Sequence, residues 1–213
     1  MCMVKDGIEQ LTVTELLQLL AHEEPGPAAS TAAAVAGAMS AALVEMAAAR
    51  SADWPEAKRI GAEAGARRER LTGLAASAAE ALSEAVEALE RREHVEPPLR
   101  RTVELLVAIA DAAGDVAELA ADAAEQVDWP VRPDVASAAL LAEAAVSVAA
   151  TLVRANLTVR PSDGPSEYVG RAVDDALSAA RRALESMSDP AVEVAPGEAL
   201  GAVSDTTQGL DRT

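Results

Sequence analysis

The chain has 213 residues, half of them apolar, and a formal net charge of −17 from 35 acidic against 18 basic side chains. That length suits one sizeable core in one domain, and the charge repels nucleic acid phosphates and anionic membrane surfaces, so neither is an expected partner. Aromatic residues make up 1% and phenylalanine is absent, so an alanine-dominated composition with few strand builders predicts an all-α fold held by close helix contacts instead of bulky plugs.

The opening Met1-Cys2-Met3-Val4-Lys5-Asp6-Gly7 has no long apolar stretch after its lysine, and charges interrupt the longer alanine-rich runs. Neither a targeting segment nor a membrane span is therefore expected. Cys2 is the sole cysteine, which excludes an intrachain disulfide and points to a reducing, cytoplasmic setting.

A capping box, Thr12-x-x-Glu15, ahead of Leu16, Leu17, Leu19 and Leu20 predicts a short first helix that stops at Pro25-Gly26-Pro27. A second helix should start near Ser30 or Thr31 and run to Asp53, with Ala33, Gly37, Ser40 and Val44 on one close-packing face. Pro55 then opens a third that reaches Arg92, with Gly61, Gly65 and Gly73 as expected bends or places of close approach. Pro97-Pro98 resets the chain, and Leu99, Val103, Leu106, Ile109, Ala110, Val116 and Leu119 form a helical stripe that ends near Gln126. After the break Asp128-Trp129-Pro130-Val131-Arg132-Pro133, a fifth helix runs from about Asp134 through Ala138, Leu141, Ala145, Val148 and Leu152 to Leu157. Pro161 to Pro165 separates it from a last helix over Ser166 to Met187. Residues 1–190 thus read as one helical domain and 191–213 as an acidic tail, the domain being an up-and-down antiparallel bundle of long helices.

Two runs carry a resemblance. Glu24-Pro25-Gly26-Pro27-Ala28-Ala29-Ser30-Thr31, followed by small residues to Ala38, is similar to the opening Pro-Thr-Pro-Gly-Gly-Gly-Ser of the formiminotransferase-cyclodeaminase C-terminal domain family. Asp134-Val135-Ala136-Ser137 through Ala145, then Val153-Arg154-Ala155-Asn156-Leu157, resembles the second signature of that family, from an Asp at a helix start to an Asn-Leu end. The resemblance spans roughly residues 12 to 188. It implies an all-helical, cyclodeaminase-like homodimer that binds a reduced folate as substrate, with no other cofactor. The implied reaction is loss of ammonia from 5-formiminotetrahydrofolate or hydrolysis of the 5,10-methenyl form.

The chain departs from that pattern where chemistry is expected. Pro27-Ala28-Ala29 stands where the family has glycines, which removes one N–H and the dihedral freedom that exposes the others. The family's Asp-x-Asp-x-x-Ala-Phe segment registers on Ala76 to Leu82, with Ala76 and Ala78 at the acidic places. Acid–base work needs an ionisable group within hydrogen-bond reach of the reacting atom, and Glu80 and Glu84, a turn away, either reach inward or face water.

Asp134 is the surviving candidate for catalysis. Its carboxylate either caps its helix or accepts from the amino-pyrimidine edge of a pterin. Asn156 likewise either satisfies helix backbone or meets a ligand amide. Ser30 and Thr31 either only cap the second helix or lie where its free N–H groups hold a folate carboxylate. Two isolated histidines, His22 and His94, lack a spaced ligand set, so no metal is expected. Trp54, Trp129 and Tyr168 sit beside breaks, positions suited to plugging a bundle end or to stacking on a pterin. Two functions follow: a cyclodeaminase or cyclohydrolase of weak or no turnover, or a non-catalytic homodimer kept for binding or scaffolding. The dimer face is expected at Ala33, Gly37 and Ser40 or along Ala138 to Ala149.

Overall fold

A computed structural model describes residues 8–22, 28–51, 53–157 and 163–186. The described residues form helices α1 (Val13–Leu20), α2 (Ala29–Arg50), α3 (Ala57–Arg91), α4 (Glu96–Gln126), α5 (Arg132–Leu157) and α6 (Asp163–Glu185), with short 3-10 turns at Ile8–Gln10 and Trp129–Val131. No strand occurs among them, as alanine's propensity predicts. The proposed acidic tail, the Glu24 to Pro27 turn and Cys2 lie outside the described residues.

The predicted boundaries hold to within a few residues because local signals set them. Thr12 caps α1: its Oγ1 accepts from the Glu15 N–H at 3.3 Å, and its own N–H donates to Glu15 Oε2 at 2.8 Å. Pro97 and Pro98 sit in the first turn of α4, where a missing N–H costs nothing. α3 ends without glycine: Arg92 adopts the left-handed conformation, φ 55°, and the Glu93 N–H donates back to the Ala88 carbonyl at 3.2 Å.

α2, α3, α4 and α5 pack as a four-helix bundle in which sequence neighbours are antiparallel, and α6 fills the groove between α4 and α5. Thr31 meets Ala75 while Glu45 meets Arg68, which fixes α2 against α3. Arg101 meets Glu84 while Arg67 meets Asp115, which fixes α3 against α4. The Ser40 hydroxyl donates to the Ala138 carbonyl at 2.6 Å, joining α2 to α5. α5 therefore runs opposite to α2.

The core is mostly alanine and valine, with Ile60, Leu71, Leu106 and Ile109 as its large fully buried side chains. Small side chains let backbones approach, and Gly37 is a tight point in the core: a Cβ there would stand 3.2 Å from Leu71 Cδ1 and 3.4 Å from Ala113 Cβ. Gly61, Gly65 and Gly73 do not end or divide α3, which is one continuous helix. Gly65 instead leaves room for the Glu45 carboxylate, whose Oε1 would lie 3.2 Å from an added Cβ.

α2 and α5 are the most apolar of the long helices. Ala29–Arg50 and Trp129–Asn156 each contain an 18-residue window long and apolar enough to cross a membrane, contrary to the expectation that charge interrupts every such run. About half of each window is packed inside the bundle, the position of core helices.

Candidate functional site

The start of α2 is the first element of the site. Nothing in Ala28-Ala29 opposes helical winding, so the helix extends back past both hydroxyls and begins at Ala29, with no side chain capping it. Its first ladder bond runs from the Ala32 N–H to the Ala28 carbonyl at 3.0 Å, so the N–H groups of Ala29, Ser30 and Thr31 precede the ladder. The expected capping role of Ser30 and Thr31 is thereby corrected: both are buried within the first turn, and the Thr31 hydroxyl makes a long bond, 3.4 Å, to the Ala75 carbonyl of α3.

Beside Thr31, α3 presents Ala75 and Ala78, both buried, and Ala76, half-buried. The two glutamates a turn away turn outward. Arg101 of α4 reaches Glu84 at 2.8 Å and Glu80 at 3.9 Å, and all three side chains are about half exposed or more. Of the two roles left open for Glu80 and Glu84, the solvent-facing one is therefore observed, with a cation already engaged.

α5 carries the other two candidates, and the structure separates them. Asp134 lies in the first turn, half-exposed, without a hydrogen bond or ion pair among the described residues. It is not a cap, because the preceding 3-10 turn runs into α5 and the Val131 and Arg132 N–H groups both use the Asp128 carbonyl, at 2.9 and 3.3 Å. Asn156, half-buried near the far end, donates through Nδ2 to the Leu152 carbonyl of its own helix at 2.8 Å. At 1.5 Å per residue, the 22 residues from Asp134 to Asn156 span about 33 Å.

The Ser40–Ala138 bond sets the heights of the remaining groups. Counting along the antiparallel pair, Ser30 stands about 21 Å from Asp134 along the bundle axis and about 12 Å from Asn156. One protomer therefore brings Ser30, Thr31, Ala76, Ala78 and Asn156 toward one end, whereas Asp134 belongs to the other.

Ion pairs between facing helices tie α2 to α3 and α3 to α4. Arg68 Nε donates to Glu45 Oε2 at 2.8 Å, and the Glu45 carboxylate holds the guanidinium above its ordinary pKa, first through the hydrogen bond and then through charge. Arg67 Nε lies 2.7 Å from Asp115 Oδ2, an ion pair without hydrogen-bond alignment. Opposite charges on facing helices were the available signal, and they needed a register to be paired. Trp54 is buried and plugs the α2–α3 end, Trp129 is half-buried, and the Tyr168 side chain lies outside the described residues. No group of three metal-ligating side chains occurs among the described residues.

Comparison with known proteins agrees with this arrangement. The solved structure of formiminotetrahydrofolate cyclodeaminase from Thermotoga maritima superposes with a TM-score of 0.76 at 22% identity, over 84% of this chain and 97% of that one. No protein of curated function matches the sequence. Residues 12–163 match the family model described as formiminotransferase-cyclodeaminase; the chain, most of its length covered and its helices in that family's arrangement, belongs to the formiminotransferase-cyclodeaminase family.

Proposed function

We propose that this chain binds a reduced folate at the end of the bundle where α2 begins and turns it over weakly or not at all. The observation that carries the reading is the pairing of Arg101 with Glu80 and Glu84, on an α3 that has only Ala76 and Ala78 at the inward places. Loss of ammonia from a formimino group requires a proton delivered to the leaving nitrogen, and hydrolysis of a methenyl bridge requires a base for water. Alanine does neither, and a glutamate held by an outward guanidinium is poorly placed for either task.

Binding has more support than turnover. The N–H groups of Ser30 and Thr31 at the start of α2 favour an anionic or carbonyl group. Asn156 at the same end offers an amide, once it leaves its own helix backbone. Asp134, without a partner among the described residues, offers an acceptor for the N–H edge of a pterin, at the opposite end of the protomer. A homodimer with a two-fold axis at mid-height of the α2/α5 face reconciles these heights, since it lays Asp134 of a second copy level with Ser30.

The dimer also underlies the second reading, a non-catalytic scaffold. Ala33, Gly37, Ser40 and most of the Ala138 to Ala149 face are consumed within the protomer, so the proposed contact moves to the outward side of the same helices. There Met39 is 55% and Leu140 42% exposed.

Calorimetric titration with tetrahydrofolate and absorbance assays of formimino- and methenyltetrahydrofolate conversion separate the readings. Binding with turnover at the rate of buffer alone is expected, and binding should weaken in Asp134→Asn. Robust turnover would overturn the silent reading, robust turnover unchanged in Asp134→Asn would remove that residue's role, and absence of binding would leave the scaffold.

A further inference from the structure

Three helix ends meet at one guanidinium. Arg132 is the first residue of α5, and its Nε donates at 3.0 Å to the carbonyl of Val127, the residue that closes α4. Its Nη1 makes a longer bond, 3.4 Å, to the carbonyl of Ser186, just past the end of α6. The last carbonyls of a helix have no partner inside it, and the helix dipole favours a cation there. Ser186 donates its own hydroxyl to the Ala183 carbonyl at 2.7 Å, and Arg132 takes its main-chain oxygen.

The corner around Arg132 is packed on its inner side. Val127, Val131 and Val135 are all buried, and the Val131 and Arg132 N–H groups close the turn on the Asp128 carbonyl. α6 lies on α4 and α5 through Ala176, Ala179 and Ala183, each buried, and its Arg182 pairs with Glu118 of α4. Alanine side chains bury little area, so the contacts of Arg182 and Arg132 matter for where α6 ends.

Asp134 stands two residues beyond Arg132. Positions i and i+2 of a helix do not face each other, and the two side chains form no ion pair among the described residues. A guanidinium is always charged and carries its donors in a planar fork, and here carbonyls from two different helices engage it. Thus engaged, Arg132 is kept from folding over the Asp134 carboxylate.

We propose that Arg132 is a positioning residue: by bridging the ends of α4 and α6 it fixes the first turn of α5 and leaves the Asp134 carboxylate open to the N–H edge of a ligand. This rests on the folate-binding role given to Asp134 above and extends that site to α6, which acts on it without touching the ligand.

The test is a double-mutant cycle on the full chain, with tetrahydrofolate titrated calorimetrically into the wild type, Arg132→Gln, Asp134→Asn and the double variant. Arg132→Gln should weaken binding about fivefold when Asp134 is present and less than about twofold in the Asp134→Asn background, because a residue that acts through another then has nothing to position. Arg132→Lys keeps the charge and loses the fork, so it should bind like Arg132→Gln. Amide hydrogen exchange in Arg132→Gln should quicken in the first turn of α5 and the last turn of α6 and stay unchanged in α2 and α3. Equal losses of affinity in both backgrounds would reduce Arg132 to a structural contact and overturn the proposal, as would exchange that quickens throughout the bundle. Wild-type affinity in Arg132→Lys would overturn the fork and leave charge alone as the cause. Wild-type affinity in Arg132→Gln would overturn the role and leave the folate reading standing, whereas no binding by the wild type would overturn that reading and this role with it.

Discussion

α2 and α3 pack against each other along most of α2, yet they turn opposite characters outward. α3 shows water a mixture of Arg59, Glu63, Glu80, Glu84, Glu87 and Arg91, much of it paired within the helix or with α4. α2 shows Ala32, Met39 and Ala42. Their inward sides are alike, being alanine with a few larger residues. The inward chemistry of a bundle helix therefore says what it packs against, whereas the outward chemistry says whether packing is finished. For α3 that side is largely charged and paired; for α2 it is the side to which the proposed dimer contact is assigned.

Glycine substitutions break or sharpen that contrast. The largest effect is expected from Gly37→Leu on the inward side of α2, because Leu71 and Ala113 are fully buried and already within contact distance of an added Cβ. A loss of about 2–3 kcal/mol in urea unfolding is expected from overpacking. A loss under about 0.5 kcal/mol would mean that the α2–α3–α4 seam is looser than described. Gly73→Ala on α3 should act in the opposite direction, with nothing within 4 Å of its added Cβ. Relief of the glycine entropy cost should raise stability by about 0.5–1 kcal/mol, and a loss of stability would reveal a contact on the α3 surface.

The smallest effect concerns α1, which is unlike both. Its Glu15 carboxyl is held below the ordinary value, first by the Thr12 hydroxyl and then by the Thr12 N–H. A depressed carboxylate contributes above its unfolded pKa, and that contribution is lost as pH falls through the folded value. Acidification should therefore fray α1 while α2 and α3 remain intact. Amide chemical shifts of Thr12 and Glu15 followed against pH measure this directly, and a midpoint at the ordinary glutamate value would remove the capping box.

Helix boundaries were readable because each depends on a few adjacent residues: Thr12 with Glu15, Pro97-Pro98, and the Asp128 to Pro133 break. The all-α class followed from alanine content, and the family from two separated runs. The roles of individual polar residues were not readable to the same degree. Ser30 and Thr31 looked like caps because hydroxyls at a helix start usually are, and α2 instead wound back to Ala29 and buried them. Asn156 was open to helix backbone or to a ligand amide, and only the folded chain showed that it takes the Leu152 carbonyl of its own helix.

Sequence by itself determined where this chain is helical, where it turns and which family it joins, since propensity, capping and signature runs act over short distances along the chain. Tertiary structure alone decided what the close-packing side of α2 meets: the sequence offered Ala33, Gly37 and Ser40 both to helix packing and to a second copy, and the fit of Gly37 against Leu71 and Ala113 uses that side within the protomer. It also decided that Arg101 would hold Glu80 and Glu84 outward, and that Asp134 and Ser30 would stand at different heights. Those relations depend on the register between antiparallel helices, which packing sets and no single segment encodes.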